Sequence, residues 1–305
     1  MAKVKSLQGN DFVWSNLTEP TERLLRKLMR EKNFHALAIE DCLTENQRPK
    51  IDEYEHYLFI VLHIPKVLES GRLEIDEIDI FIGHDFIITV HNNNTFVDKL
   101  FHSLSKKSEE RERLMSKGVG YFLYEFIDEM FSQMFVMLDN LSAQTSQLEK
   151  KLFNNPGRQD LLNQILFYRK DLIILSRIIV PQRPVIAQLE HKKTKFLPDT
   201  LELYFQDAVD KVERLYTNVE SLKELLNLLQ QTNESVISHS SNNIIKVLTI
   251  FSVMMLPMTL VSGIYGMNLA TLPFAQHQMS FIIVIGIMLA IAVSMVAFFK
   301  YKRWF

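Results

Sequence analysis

The chain has 305 residues, and 34 Lys and Arg stand against 36 Asp and Glu, which gives a formal net charge of −2 at pH 7. This balance argues against a nucleic-acid binder, which needs a strongly basic surface. The single cysteine, Cys42, excludes an intramolecular disulfide and favours a reducing compartment. The first ten residues, MAKVKSLQGN, contain no apolar run, so we expect no cleavable signal peptide.

Residues 1–115 alternate between helical and strand patterns, which predicts a cytosolic α/β domain. A helix is predicted in EPTERLLRKLMREKNF, where Glu19-Pro20 marks the start. A strand is predicted in the β-rich apolar run YLFIVLHIPKV. The neighbouring segments EIDEIDIFIG and HDFIITVHN predict a β-hairpin with its turn near Gly83.

Residues 116–197 follow a helical pattern, which the turn motif Asn154–Gly157 interrupts, and so predict a helical hairpin. The next segment predicts one helix from near Pro198 to Gly263, with Pro257 as its only proline. At a rise of 1.5 Å per residue, this helix is roughly 100 Å long. A helix of that length is not the core of a monomer, so we predict a stalk over residues 198–243 that packs against copies of itself.

Two stripes with alternating spacings of three and four residues run along this stalk, as in left-handed helical bundles. One stripe is wholly apolar, and the other is mainly polar. The apolar stripe consists of Val212, Leu215, Val219, Leu222, Leu226 and Leu229. The polar stripe consists of Arg214, Thr217, Ser221, Glu224, Leu228, Gln231, Ser235 and Ser238. The polar stripe predicts a polar lumen between the packed copies.

Two uncharged apolar segments lie near the C-terminus, and each approaches the ~20 residues that span a bilayer. We predict transmembrane helices over residues 244–264 and 279–299, joined by an outer loop, residues 265–278. Buried core helices are disfavoured, because neither segment has a charged face. The loop lacks Lys and Arg after Asn268, whereas Lys246 and the basic tail, residues 300–305, flank the other ends. We therefore expect a multi-pass protein of the inner (plasma) membrane with both termini in the cytoplasm.

The first predicted span continues the polar stripe of the stalk. Its members are mostly small or carry hydroxyl groups: Asn242, Ile245, Thr249, Ser252, Leu256, Thr259, Gly263 and Gly266. Spacing alone supports two interpretations equally. One is close helix packing through small residues, and the other is a water-filled pore on the axis of an oligomer. The polar lumen predicted for the stalk favours the pore.

The sequence offers no support for a catalytic motif, so we expect a protein that is not an enzyme. The sequence contains neither His-Glu-x-x-His nor Gly-x-Ser-x-Gly, and Cys42 lacks the context of a catalytic thiol. His84 and His91, on a predicted hairpin strand, have an odd spacing and would lie on opposite faces. The acidic pairs Glu40-Asp41 and Asp207/Asp210, read alone, are more typical of surfaces than of sites.

The chain resembles the CorA family of magnesium transporters over essentially its whole length. The segments that carry this resemblance are the motif YGMN, Tyr265–Asn268, and the stretches His35–Leu62, Tyr204–Asp210 and Asn242–Asn268. The motif Gly-Met-Asn alone is weak evidence for this family. Together with two C-terminal spans, a stalk and the block EDCLTENQRPK, it is specific.

The resemblance implies a homopentamer in membrane lipid, with a cytosolic funnel and a central pore. It assigns a selectivity filter to Gly266, Met267 and Asn268. It assigns the pore lining to Asn242, Ile245, Leu248, Leu256, Thr259 and Gly263, and the stripe adds Thr249 and Ser252 to this predicted lining. It also implies a regulatory Mg²⁺ between neighbouring subunits, with Asp207 facing Asp41 of the adjacent chain and with Asp210 and Glu40 beside them.

We therefore predict a channel for Mg²⁺, with Co²⁺ and Ni²⁺ as surrogates, that the membrane potential drives and intracellular Mg²⁺ gates. The outer loop departs from the family pattern, because LATLPFAQHQ has no acidic residue, and Ile245 and Leu256 stand where methionines are common. Two alternatives stay open. One is a zinc or other divalent transporter of the same superfamily, and the other is a membrane-anchored cation sensor or scaffold that does not conduct.

Overall fold

The computed structural model describes residues 3–44, 47–154, 159–192, 196–267, 279–302 and 304. These residues form two compact units: an N-terminal unit that extends to Gln230, and a C-terminal unit that begins at Gln231. The N-terminal unit contains a mixed β-sheet with helices on both faces. The C-terminal unit contains only helices among its described residues.

The described strands form one six-stranded sheet in the order β1-β2-β6-β5-β4-β3. Their bounds are β1 Lys3–Gln8, β2 Val13–Thr18, β3 Lys50–Glu53, β4 Leu58–Val67, β5 Leu73–Ile82 and β6 Phe86–His91. Neighbouring strands pair antiparallel, except β2 and β6, which are parallel. The predicted β5–β6 hairpin is confirmed, and the Gly83 N–H donates to the Phe86 carbonyl at 3.0 Å to close its turn.

One sequence expectation in this region is wrong. His84 does not lie on a strand: it is exposed in the turn between β5 and β6, because β6 begins only at Phe86. His91, by contrast, is the last residue of β6 and is buried.

Helices cover both faces of the central strands, which explains why β4 is a continuous apolar run. On one face, α1 (Glu22–Lys32) and α2 (Ala36–Leu43) contribute Leu25 and Ala38 to a cluster with Phe59 and Phe81. On the other face, the side chains of Leu58, Ile60, Leu62 and Ile64 join a larger core. The helices of that core include α3 Thr95–Lys106, α4 Ser108–Met115, α5 Val119–Asn154 and α6 Gln159–His191.

The helices α5 and α6 confirm the predicted helical hairpin; most of its turn motif, residues 155–157, lies outside the described residues. α6 is one of three described helices that are long and apolar enough to cross a membrane. However, 44% of its most apolar window is buried inside the protein, where Leu172, Ile178 and Ile186 join the core. The apolar residues of α6 therefore serve the soluble fold.

The predicted long helix is confirmed as α7, Glu202–Tyr265, which follows a single 3₁₀ turn, Asp199–Leu201, and continues through Pro257. Within the N-terminal unit, every member of its predicted apolar stripe is buried in the core. The apolar windows of α7 and of α8 (Ser280–Tyr301) are only 6% and 0% buried. These two helices therefore match the two predicted spans in length, composition and exposure.

Candidate ion pathway and carboxylate clusters

The predicted pore-lining residues share one exposed face of α7. Their members are Asn242, Ile245, Leu248, Thr249, Ser252, Leu256, Thr259 and Gly263, and every one is exposed. Large apolar side chains in this set are among the most open, and Leu256 is 68% exposed. We call this face the pore stripe. The described residues leave this face open.

The opposite face of α7 is sheltered. Ile250 is only 3% exposed, and Met254, Met258, Val261 and Tyr265 are partly covered. At 3.6 residues per turn, these side chains lie about 180° around the helix from the pore stripe. The described residues therefore cover only the face opposite the pore stripe, and they leave both the stripe and flanking side chains such as Phe251 and Met255 exposed.

The hydroxyl groups of the pore stripe donate their hydrogens to their own helix. The Oγ of Ser252 donates to the Leu248 carbonyl at 2.9 Å, and Thr249 Oγ1 and Thr259 Oγ1 make the same bond, each at 2.8 Å, to the carbonyl four residues earlier. Each oxygen keeps lone pairs that point away from the bond. The stripe therefore presents hydrogen-bond acceptors, which suit the water hydrogens of a hydrated cation.

The helix ends at the predicted selectivity filter. The Gly266 N–H donates to the Ser262 carbonyl at 2.8 Å, and the Met267 N–H donates to the Ile264 carbonyl at 3.2 Å. A Cβ atom on Gly266 would lie 3.1 Å from the Ser262 oxygen, so glycine relieves a tight contact here. Asn268, the third predicted filter residue, lies outside the described residues.

Asp41, on α2, belongs to a first carboxylate cluster. The Lys50 Nζ lies 2.7 Å from Asp41 Oδ2 and 2.7 Å from Asp52 Oδ2. Burial lowers the pKa of the Lys50 ammonium, but its hydrogen bonds to the two aspartates outweigh that effect and raise the pKa above its ordinary value. We call these three residues the Lys50 cluster. The neighbouring Glu40 is exposed on the same helix.

Asp207, near the start of α7, belongs to a second cluster. Lys211 forms an ion pair with Asp128 of α5, and its Nζ lies 3.4 Å from Asp207 Oδ2. The Tyr124 hydroxyl donates to the same Oδ2 at 3.1 Å. Burial raises the pKa of Tyr124, and the nearby Asp128 and Asp207 raise it further. We call Asp128, Asp207 and Lys211 the Lys211 cluster.

Both clusters leave oxygen donors free for a hard cation. In both Asp41 and Asp207, the Oδ2 atom accepts the hydrogen bonds and ion pairs. The Oδ1 atom has no such partner among the described residues. Mg²⁺ prefers one or two carboxylate oxygens and keeps several waters, so these groups fit it. The described residues contain no group of three or more His, Cys, Asp or Glu side chains placed to hold a metal ion. Asp210, the other predicted ligand, is exposed on the next turn of α7.

A buried carboxyl group, that of Asp79, which is hydrogen-bonded to Cys42 of α2, is a feature that sequence reasoning missed. Asp79 on β5 is 4% exposed, and burial, with the charge of Glu77, raises the pKa of its carboxyl to about 8. Burial also raises the pKa of the Cys42 thiol, and the charge of Asp79 raises it further. A thiol held in the protonated form is a poor nucleophile.

His91 serves the fold. Its Nδ1 accepts the Asn94 N–H at 2.8 Å, so Nε2 carries the proton and donates to Asn16 Oδ1, also at 2.8 Å. Burial lowers the pKa of His91 to about 4, which keeps the ring neutral.

Comparison with solved structures identifies the class of fold. The complete structure of the CorA magnesium transporter from Methanocaldococcus jannaschii matches with a TM-score of 0.87 at 22% identity, and the match covers 99% of this chain and 94% of that chain. An α/β unit, a long helix and two apolar C-terminal helices therefore define a membrane protein with the CorA fold.

The family follows from sequence comparison. The model of the family described as CorA-like Mg²⁺ transporter protein matches residues 9–303, and the chain belongs to this family of divalent metal ion transporters. The Bacillus subtilis protein YfjQ, named as a candidate metal ion transporter, is 30% identical, with 96% of this chain and 90% of that protein covered. The cobalt/magnesium transport protein CorA of Thermotoga maritima is 27% identical, with 89% and 77% covered.

Proposed function

We propose that the protein is a homo-oligomeric channel, a pentamer, that conducts Mg²⁺ and accepts Co²⁺ and Ni²⁺ as surrogates. The pore stripe carries this proposal, because it is exposed, rich in hydrogen-bond acceptors and opposite the sheltered face of α7. Copies of α7 arranged around an axis place the stripe in the lumen. Lipid then covers the remaining apolar surface of the membrane helices.

The ion travels with part of its water shell. Mg²⁺ gives up coordinated water reluctantly, so a pathway that accepts hydrogen bonds from that water avoids the cost of stripping it. Thr249, Ser252 and Thr259 supply such acceptors along the wall. The amide oxygens of Asn268 form the ring at the outer mouth, and the neutral ring releases the ion more readily than carboxylates do.

The membrane potential drives the ion inward. At about 2.3 kcal/mol per charge for each 100 mV, a divalent cation gains roughly 4.6 kcal/mol. The orientation follows the positive-inside rule: Lys246, Lys300 and Lys302 flank the inner ends of the membrane helices, so the N-terminal unit lies in the cytoplasm of a plasma-membrane protein.

Intracellular Mg²⁺ closes the channel by binding between neighbouring subunits. Asp41 of one chain and Asp207 of the next share the ion, with Glu40 and Asp210 beside them. When Mg²⁺ is scarce, the carboxylates repel each other and the subunits separate. The apolar constrictions at Ile245 and Leu256 then widen and fill with water.

Flux into liposomes tests the conducting pathway. Ser252→Leu places an apolar side chain on the pore stripe and should abolish Mg²⁺ uptake by the purified protein. Ser294→Leu is the matched control, because Ser294 Oγ on α8 also donates to its own helix, at 2.8 Å to the Ile291 carbonyl, but lies outside the stripe. Equal uptake by the two variants would refute the assignment of the pore. Asn268→Ala should likewise abolish uptake if its amide forms the outer ring.

The same vesicles separate the rival functions. A zinc transporter of this superfamily would take up Zn²⁺, and excess Mg²⁺ would inhibit that uptake only weakly. A non-conducting sensor or scaffold would leave the vesicles impermeable to every divalent ion, and Ser252→Leu would then change nothing. Uptake of Mg²⁺ that Co²⁺ inhibits and Zn²⁺ does not is the result expected of the proposed channel.

A further inference from the structure

A lysine lies between two aspartates in each of the two carboxylate clusters. Lys50 contacts Asp41 and Asp52, both at 2.7 Å, and Lys211 contacts Asp128 and Asp207. In both clusters, one aspartate is a proposed ligand of the regulatory ion, and the other holds the lysine in place. Each cluster therefore carries a net charge of about −1.

We propose that Lys50 and Lys211 are internal competitors of the regulatory cation and that they set the Mg²⁺ concentration at which the channel closes. This inference rests on the proposed function, in which Asp41 and Asp207 of neighbouring chains share the ion. The two clusters bring four carboxylates and two ammonium groups to such a site, with the exposed Glu40 and Asp210 at its edge. The two clusters together carry two net negative charges, which one divalent ion neutralises.

The geometry makes each lysine a competitor that stays close to the ion. Both ammonium groups bind Oδ2 of the proposed ligand, so an ion that binds Oδ1 of the same carboxylate lies on the order of 6 Å from a positive charge. Neither lysine moves away freely, because Asp52 and Asp128 hold the far side of each ammonium. The like charges repel, and the ion binds more weakly than it would to free carboxylates.

Removing one of these charges should tighten Mg²⁺ binding. A positive charge about 6 Å from a divalent ion, in water-like dielectric and physiological salt, weakens binding by about three- to tenfold. Lys211→Gln and Lys50→Gln should therefore each lower the half-maximal Mg²⁺ concentration by about that factor. Lys211→Arg restores the charge and should return the midpoint to within about twofold of the wild type.

The measurement is Mg²⁺-dependent protection of the full-length protein, in detergent, against limited proteolysis. Lys223→Gln is the matched control: Lys223 lies on the same helix and pairs with Glu220 at 2.8 Å, but it belongs to neither cluster. Its midpoint should stay at the wild-type value. A midpoint that is unchanged or raised in both Lys211→Gln and Lys50→Gln would overturn the inference, and Lys50→Gln alone decides the matter if Lys211→Gln does not fold.

Asp207→Ala separates this inference from the function on which it rests. If Asp207→Ala keeps wild-type protection, then the proposed regulatory site itself is wrong. If Asp207→Ala loses protection while both lysine variants keep the wild-type midpoint, then the site stands and the lysines are merely structural partners.

Discussion

Replacing Asp79 by asparagine should stabilise the protein at alkaline pH and not at acidic pH. Burial raises the pKa of this carboxyl from its ordinary value of 3.8 to about 8, so the folded state holds a proton that the unfolded state releases. The stabilising effect of that proton is complete below pH 3.8 and is lost as the pH rises towards 8. At about 1.4 kcal/mol per pKa unit, the resulting loss in the free energy of unfolding is at most about 6 kcal/mol.

Asparagine has no proton to lose, so it avoids this pH-dependent cost. Its buried amide hydrogens need acceptors, and an imperfect fit costs about 1–3 kcal/mol. We therefore expect Asp79→Asn to gain about 3 kcal/mol over the wild type at pH 8. For a unit of this size, that corresponds to a rise in melting temperature of about 6–12 °C.

Thermal unfolding of the full-length protein in detergent, followed by circular dichroism from pH 4 to pH 9, measures this difference. The melting curves of wild type and Asp79→Asn should diverge as the pH rises, and at pH 4 the variant should be no more stable than the wild type. Asp139→Asn, an exposed aspartate on α5, is the control and should track the wild type throughout. A difference for Asp79→Asn that does not change with pH would refute the reasoning.

Three further predictions concern packing and gating. Gly120→Ala should lower stability by about 1–3 kcal/mol in thermal unfolding, because its Cβ would lie 2.6 Å from Leu201 Cδ1; a melting temperature equal to the wild type would contradict this close contact. Leu215→Ala should cost about 2–5 kcal/mol, whereas Leu228→Ala, at a 54% exposed position of the same helix, should cost under about 1 kcal/mol; equal costs would show that the buried stripe does not carry the packing. Leu256→Asn should wet the constriction and raise Mg²⁺ flux into liposomes at inhibitory Mg²⁺, and flux still blocked at that concentration would argue against a gate there.

Local patterns predicted the parts of the fold that depend on near neighbours in the chain. The period of the apolar stripe predicted the buried face of α7, where Val212 and Leu226 are fully buried. Two strands joined by a short turn at Gly83 predicted the β5–β6 hairpin. The strands β1, β2 and β3 were missed because they are short and carry several polar residues. The parallel pairing of β2 with β6 joins residues more than seventy positions apart.

The sequence likewise predicted one part of the candidate site and missed another. The pore stripe follows from helical periodicity, so the sequence predicted which side chains share that face of α7. The two lysine clusters do not follow from spacing, because Lys211 meets Asp128 across 83 positions and Lys50 reaches Asp41 only after the chain turns from α2 into β3. Hydropathy also marks α6 as membrane-like, and only its packing in the core removes that ambiguity.

In the proposed channel, the hydroxyl groups on the pore stripe of α7 affect which ions pass. Thr249, Ser252 and Thr259 have given their only hydrogens to their own backbone, so a chloride or phosphate ion meets no donor along these side chains. In the proposed channel, the wall from Thr249 to Gly263 therefore favours cations through these lone pairs, with no ionised side chain on that face. Because nothing there titrates, conduction through a wall of this kind should stay constant from about pH 5 to pH 9.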